Sequence, residues 1–396
     1  MSPDALSALS LDLVDLGDVR RALASRIDEG LQADGQQIRA LPAHLPPPEA
    51  RTAGLALVMD LGGTHMRAAL VELGDGGPRV VAGPVDERLE LREAGGHLSR
   101  EIFFDQQAAL LARLAPPPGV PLGYCFSYPA AVGPSRDAVL LAWTKGIDVP
   151  GVVGTPVGAG LAEAARRAGV QVGRVTVLND TVATLLAATL THGGRDKGRV
   201  LGLILGTGTN IAAFIDCARA PKLAAAGLTG LMAVNLESGN FTPPHLTRWD
   251  DALDRASINP GAQRLEKAVS GYYLPYLFAE LCPGLPGFDP GEGTAALARL
   301  AAGTTDAGTL AQRVLDRAAD LTAAALSGVI DHYVEGEPIG LLAEGSTFWK
   351  TPGFAARVET RLAALLGPTR PVQLMRISDA NLLGAACAAL VPRARS

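Results

Sequence analysis

Leu55-Ala-Leu-Val-Met-Asp60-Leu-Gly-Gly-Thr64-His-Met-Arg67-Ala-Ala-Leu-Val71 decides how the rest of the chain is read. The apolar run reaches Asp60, turns through Gly62-Gly63-Thr64 and resumes at Ala68. That pattern predicts a strand, a tight turn and a second strand. Paired glycines let the backbone come close to a ligand, because no Cβ stands in the way. Thr64 adds a hydroxyl, and Arg67 adds a fixed positive charge suited to phosphate oxygens. Asp60 would repel a phosphate unless a magnesium ion stood between them. The plainer alternative is a Gly-Gly hairpin with an unrelated Asp, and one motif this short does not decide between the two.

A second stretch of the same kind changes the balance. Val200 to Leu205 is a buried-strand pattern ending in Gly206-Thr207-Gly208-Thr209-Asn210, and the apolar pattern restarts at Ile211–Ile215. Each tip offers backbone N–H groups and a hydroxyl to phosphate oxygens. Neither is a Walker loop, since the chain has no Gly-Lys-Ser/Thr. Neither is a dinucleotide fingerprint, since Gly62-Gly63 opens a strand rather than a helix. Around the tips the chain reads as helix and strand in turn. Val182–Leu190 is a predicted helix with Asp180 or Thr181 as its cap. Gln263–Leu281 is predicted as one helix carrying Glu266, Leu310–Tyr333 as a long helix and Leu382–Leu390 as the closing helix. The order restarts near Val200, so the expected fold is α/β, a duplicated layout with mixed sheets and a ligand cleft between the halves.

Composition narrows the classes. The 396 residues suffice for two cores, and 48% hydrophobic with 19% charged residues makes a globular chain. A net charge of -5 with no basic cluster beyond the Arg393–Arg395 tail argues against nucleic acid as a partner. Cys125, Cys217, Cys282 and Cys387 have no metal-ligand spacing and read as buried thiols of a reducing compartment. The N-terminus lacks a signal peptide's basic start, and no window is apolar for long enough to span a bilayer. The expectation is a cytoplasmic protein with no membrane partner.

The chain resembles the hexokinase family, sugar kinases of the actin-like ATPase superfamily, as a compact bacterial-type member. The resemblance is carried by Leu41-Pro42, Asp60–Arg67, Gly123–Pro129, Trp143–Gly146, Leu178–Thr184, Leu205–Asn210, Val234–Glu237, Asn259–Lys267, Gly345-Ser346 and Gly384–Ala386, in family order. It implies a two-domain actin-like ATPase fold, a duplicated ribonuclease H-like α/β fold. The expected parts are N-terminal helices and a connector in 1–54, packed on the large domain. A small domain follows over 55–178, a large domain over 179–375, and a C-terminal helix in 376–396 that returns to the small domain.

The resemblance also implies roles. Asp180 would be the catalytic base that takes the proton of a hexose 6-hydroxyl as it attacks the γ-phosphorus of ATP, the entry step of glycolysis. Its other reading is a helix N-cap. Lys145 would assist catalysis and, with Thr144, bind the sugar. Ser127, Asn179, Asn210, Glu237 and Glu266 would bind sugar hydroxyls. Gly62, Gly63, Thr64, Arg67, Thr207 and Gly208 would hold phosphate, and Gly345 and Ser346 would begin the adenosine segment. Asp60 would hold Mg2+ through water. Sugar binding would close the cleft.

His65 stands where the family has Asn, Ser238 where it has Trp, and Glu344 where Asp is common. Ala380-Asn381-Leu382-Leu383 replaces the family's Gly-Ser-Gly-Lys. The implied activity is ATP:hexose 6-phosphotransfer, glucose first, with ATP and Mg2+ as cofactors, in a monomer or homodimer. Two alternatives stay open: a sugar-binding sensor that has lost activity, or an enzyme using fructose, mannose or polyphosphate.

Overall fold

Leu55–Leu61 is almost continuously apolar, and a strand buried on both faces needs that composition. In the computed structural model, which describes residues 3–49, 52–63, 65–90, 98–144, 147–191 and 198–392, it forms the middle of a five-stranded sheet. The strands run in the order Arg79–Arg88, His65–Leu73, Gly54–Gly62, Val120–Phe126 and Val172–Leu178. The first three are antiparallel neighbours, and the last two join the sheet in parallel. The sheet is therefore mixed, as expected. One face packs on the helices Arg100–Ala112 and Val157–Arg167 through Phe103, Phe104, Leu111 and Leu161, all buried. The closing helix Ala380–Leu390 lies against the sheet strands and the helix Asp180–Thr191. The contact is close: a Cβ on Gly384 would stand 1.8 Å from the Ala183 carbonyl oxygen.

The chain divides into two compact units. The hairpin unit comprises Leu41–Gly202, Leu228–Asn235 and Ile377–Ser396. The long-helix unit comprises Met1–Ala40, Leu203–Gly227 and Leu236–Arg376. Residues 41–54, 179–202 and 228–235 cluster with the hairpin unit. The reason for the second is the packing of the Asp180–Thr191 helix, whose Thr181 to Thr189 are buried.

The long-helix unit is built around Asp306–Tyr333, which is buried over most of its circumference from Leu310 to Ile330. A helix apolar nearly all round must lie inside a domain. Leu13–Gln32 packs on it with Leu16, Val19, Leu23, Ile27 and Leu31, and a capping box of Asp12 and Asp15 fixes its start. The strands Thr209–Asp216, Val200–Leu205, Ile339–Glu344 and Val372–Met375 follow one another in the sheet, the last two in parallel. The expected single helix Gln263–Leu281 is broken into Arg264–Val269 and Leu274–Leu281. Pro275 starts the second piece, and the Gly271 N–H turns away to donate to the Gly206 carbonyl at 2.8 Å. A continuous helix would have used that donor internally.

Candidate active site

The hairpin register pairs Asp60 with Arg67 and Gly62 with His65, so the first tip is the tight turn the sequence predicts. Asp60 is also level with Cys125 on the next strand, and Cys125 with Leu178 on the one after. Three parallel strands thus end at one edge. Ser127 leaves the second, its N–H donating to the Leu61 carbonyl at 3.2 Å. Asn179 and Asp180 leave the third, where the carboxyl ends of strands gather chemistry in α/β sheets.

Asp180 is the first residue of its helix, and the cap is Asn179 rather than Asp180 or Thr181. The Asn179 carbonyl accepts from the Ala183 N–H at 2.9 Å, and its side-chain oxygen accepts from the Thr181 N–H at 2.9 Å. The same Thr181 N–H reaches Asp180 Oδ1 at 2.8 Å. A carboxylate at a helix N-terminus is stabilised by the dipole and by unpaired N–H groups.

Asp60 is 7% exposed, and its Oδ1 has no hydrogen-bond partner among the described residues. Burial pushes its pKa up to about 6, and the charge of Asp180 adds to the rise. The Cys125 thiol, the Arg67 charge and the Asn381 side chain oppose it. Burial, then the charges of Asp60 and Asp180, push the Cys125 thiol well above its usual value.

Arg67 is engaged on both sides. It hydrogen-bonds Asp379, which caps the closing helix in the left-handed region, and its Nε lies 3.6 Å from Asp86. His65 Nδ1 also lies 3.6 Å from Asp86. A phosphate reaching Arg67 must exchange with these carboxylates. Tyr128 steadies the tip from the other side by donating to the Gly63 carbonyl at 2.7 Å. Its ring meets Trp143 edge-on at 4.9 Å, and Trp143 Nε1 donates to the Val149 carbonyl at 3.1 Å. These contacts anchor the start of the Thr144 loop. Lys145 and Thr64 lie outside the described residues.

The long-helix unit gathers the second set. The Gly206 carbonyl accepts from the Gly271 N–H and, at 2.9 Å, from Thr347 Oγ1, while the Thr207 carbonyl accepts from the Tyr272 N–H at 3.3 Å. Glu266 Oε2 accepts from the Thr209 N–H at 3.0 Å, and a Cβ on Gly208 would stand 2.6 Å from that oxygen. Asn210 Oδ1 accepts from Ile211 N–H at 2.8 Å and Ser238 N–H at 3.1 Å, which ties the tip to the Glu237 turn. Glu237 sits at φ 56°, in the left-handed region. Lys267 is 2% exposed and anchors the Asn259–Lys267 loop through Asp254 Oδ1 at 2.6 Å and the Asn259 carbonyl at 2.8 Å. Gly345, at φ 116°, lies against Leu205 and Gly206, and Ser346 opens the short helix Ser346–Lys350.

One hexokinase family model matches residues 3–190, and a second matches 200–282 and 307–391. The chain belongs to the hexokinase family. It is 32% identical over 284 residues to Hexokinase-3 of Mus musculus, an alignment covering 68% of this chain and 30% of that protein. Such alignments cover between 30% and 60% of the relatives' own length. The hexokinase from Schistosoma mansoni complexed with glucose superposes with a TM-score of 0.82 at 24% identity, covering 98% of this chain and 97% of that one. A ROK family glucokinase from Streptomyces griseus, in complex with glucose and AMPPNP, is more distant. Its TM-score is 0.54 at 19% identity, covering 84% of this chain and 98% of that one. The fold of this hexokinase-family chain is the two-domain actin-like ATPase fold with mixed sheets.

The structure therefore assembles Asp60, Arg67, Ser127, Asn179 and Asp180 in one unit, and Thr207, Gly208, Asn210, Glu237, Glu266, Gly345 and Ser346 in the other. Sequence reasoning named Cys125 as a buried thiol and Asn381 as part of a departure from the family but gave neither a site role, and it did not single out Asp379, which pairs with Arg67. Polar residues breaking the apolar closing helix, Asp379 and Asn381, were the available signal.

Proposed function

We propose that this chain transfers the γ-phosphoryl group of ATP to the 6-hydroxyl of a hexose, with glucose the first candidate. The observation that carries the reading is the strand-edge cluster of a family member. It places Asp180, fixed at a helix start, within electrostatic reach of the buried carboxyl of Asp60. The glucose held by the Schistosoma mansoni hexokinase supports the acceptor, and the AMPPNP held by the Streptomyces griseus glucokinase supports the donor.

In this reading Asp180 accepts the proton of the 6-hydroxyl as that oxygen attacks. Base catalysis of this kind contributes roughly 10²–10⁴-fold. The Asn179 cap and the Thr181 N–H hold the carboxylate in one place, so orientation is set before the sugar arrives. Ser127, Thr144, Lys145, Asn179, Asn210, Glu237 and Glu266 supply the donors and acceptors that sugar hydroxyls require. Arg67 and the backbone of Gly62, Gly63, Thr64, Thr207 and Gly208 take the phosphates, and Gly345 and Ser346 take the adenosine side.

Asp60 fits a magnesium partner, because a hard carboxylate oxygen buried without a hydrogen-bond partner is the kind of ligand that ion or its water uses. The ion, when bound, neutralises charge on the phosphates.

The test is an assay of hexose 6-phosphate formation by the purified chain, with glucose, fructose and mannose as acceptors and ATP and polyphosphate as donors. Glucose with ATP should give the highest kcat/KM. Asp180→Ala should retain glucose binding and lose about 10²–10⁴-fold in turnover; near-normal turnover would remove the base assignment. One observation favours the sensor reading: Ala380, Leu382 and Leu383 are buried in the first turn of the closing helix, where the family has a glycine-rich segment. Glucose binding without product from any donor would establish that reading instead.

A further inference from the structure

The carbonyl of Gly206, the first residue of the second tip, carries two donors. The Gly271 N–H reaches it at 2.8 Å and the Thr347 hydroxyl at 2.9 Å. A carbonyl oxygen has two lone pairs, so this one is fully used. Neither donor is loose. Gly271 is buried, and its own carbonyl accepts from Thr294 Oγ1 at 2.9 Å. Thr347 is 3% exposed, in the short helix that begins at Ser346. The three groups meet tightly: a Cβ on Gly271 would stand 2.1 Å from Thr347 Oγ1 and 2.9 Å from the Gly206 carbonyl oxygen.

A peptide unit is planar and trans, so the Thr207 N–H points opposite to the Gly206 carbonyl. The carbonyl faces the buried Gly271 and Thr347, and the Thr207 N–H therefore points away from them, on a residue that is itself exposed. Neither the Thr207 nor the Gly208 N–H has an acceptor among the described residues, whereas the next N–H, of Thr209, goes to Glu266. Backbone N–H groups that have no protein partner and are held in one direction are what an anion-binding loop presents to phosphate oxygens. A single donor on Gly206 would let the peptide plane pivot about that bond. The second donor, from Thr347, removes the pivot.

We infer that Thr347 is a positioning residue for the phosphoryl donor: its hydroxyl fixes the Gly206–Thr207 peptide so that the Thr207 N–H is aimed at the polyphosphate chain of ATP. This inference rests on the proposed reading of Thr207 and Gly208 as a phosphate clamp. Thr347 belongs to the segment opened by Gly345 and Ser346, so one side chain joins that segment to the clamp. A hydrogen bond to a charged oxygen contributes enough that losing its aim should weaken binding by about 10-fold.

The test is calorimetric titration of the full chain with ATP and Mg2+, with adenosine and, separately, with glucose. Thr347→Val keeps the shape of the side chain and removes its hydroxyl. It should weaken ATP binding by about 10-fold and leave the affinities for adenosine and glucose as in the parent. Thr347→Ala removes the hydroxyl without setting a methyl group against the Gly206 carbonyl; it should show the same loss, and it serves if the valine variant does not fold. Thr347→Ser keeps the donor and should restore most of the ATP affinity. A merely structural role would weaken all three ligands together, and that result would overturn the inference. ATP affinity unchanged in both hydroxyl-free variants would overturn it too. Equal weakening of ATP and adenosine, with glucose unaffected, would overturn it by making Thr347 a contact of the adenosine side. A parent chain that binds glucose but not ATP would instead remove the phosphate reading of the tip, and this inference with it; the parent titration separates that failure from those of the variants.

Discussion

The two glycine-rich tips look alike in sequence and are held in opposite ways. The first is framed by charge: Asp60 and Arg67 face each other in register, with Asp86, Asp379 and His65 around them. A Cβ on Gly62 would meet nothing within 4 Å among the described residues. The second is framed by packing: its carbonyls are taken by Gly271, Tyr272 and Thr347, and its glycines lie against Glu266 and Gly345. In the second tip Gly208 leaves room for the Glu266 carboxylate, so its lack of a side chain serves the protein's own packing. Gly62 of the first leaves open space, and its use is in what approaches from outside. A composition signal reports that bulk is excluded, not which partner requires the exclusion.

The largest effect expected from this contrast is at Gly345. Its φ of 116° disfavours any side chain, and a Cβ would stand 2.2 Å from the Leu205 carbonyl oxygen. Backbone cannot swing aside as a side-chain end can. Gly345→Ala should therefore lower stability by roughly 3–5 kcal/mol through strain and overpacking together. Chemical denaturation of the purified variant measures it. A loss below about 1 kcal/mol, the range of an ordinary exposed substitution, would mean the second tip is less tightly packed than its neighbours indicate.

How much of this was legible in the sequence follows the same division. The Asp60–Arg67 hairpin, the Asp180 helix and the Leu310–Tyr333 helix could be read from periodicity, because local pattern and buried face agree there. The break at Ser270–Tyr273 could not, since the Gly271 N–H is claimed by a carbonyl 65 positions earlier in the chain. The grouping of residues 179–202 with the hairpin unit was hidden for a similar reason: it depends on the Gly384–Ala183 contact, which no local window contains. The individual site residues came from motif resemblance. The environment of Asp60, with Cys125 level with it on the next strand, came only from the fold.

The next effect tests the charge on the first tip. Asp60 has its folded pKa raised from 3.8 to about 6, so ionising it opposes folding. The folded state holds the proton more tightly than the unfolded chain, and stability falls as pH rises from about 4 to about 6, then levels off. In metal-free buffer, Asp60→Asn should thus be more stable than the parent by about 2–3 kcal/mol at pH 8, with little difference at pH 4. Urea unfolding at the two pH values with chelator present reads it directly. A variant less stable than the parent at pH 8 would show that the opposing contacts from Cys125 and Asn381 outweigh burial.

The smallest expected effect on the fold is at Gly62. Its backbone is not in the left-handed region, and the added methyl group meets nothing among the described residues. Gly62→Ala should therefore change stability by no more than about 0.5 kcal/mol, and a slight gain is consistent with the lower flexibility of alanine in a strand. If the open space above the tip is where phosphate approaches, the same methyl group should raise the KM for ATP by about tenfold or more, as small displacements in a positioned site do. The KM for glucose should stay near that of the parent. An unchanged KM for ATP, with stability also unchanged, would remove Gly62 from the phosphate site. Both measurements together separate a glycine kept for a ligand from one kept for the fold, which is the difference between the two tips.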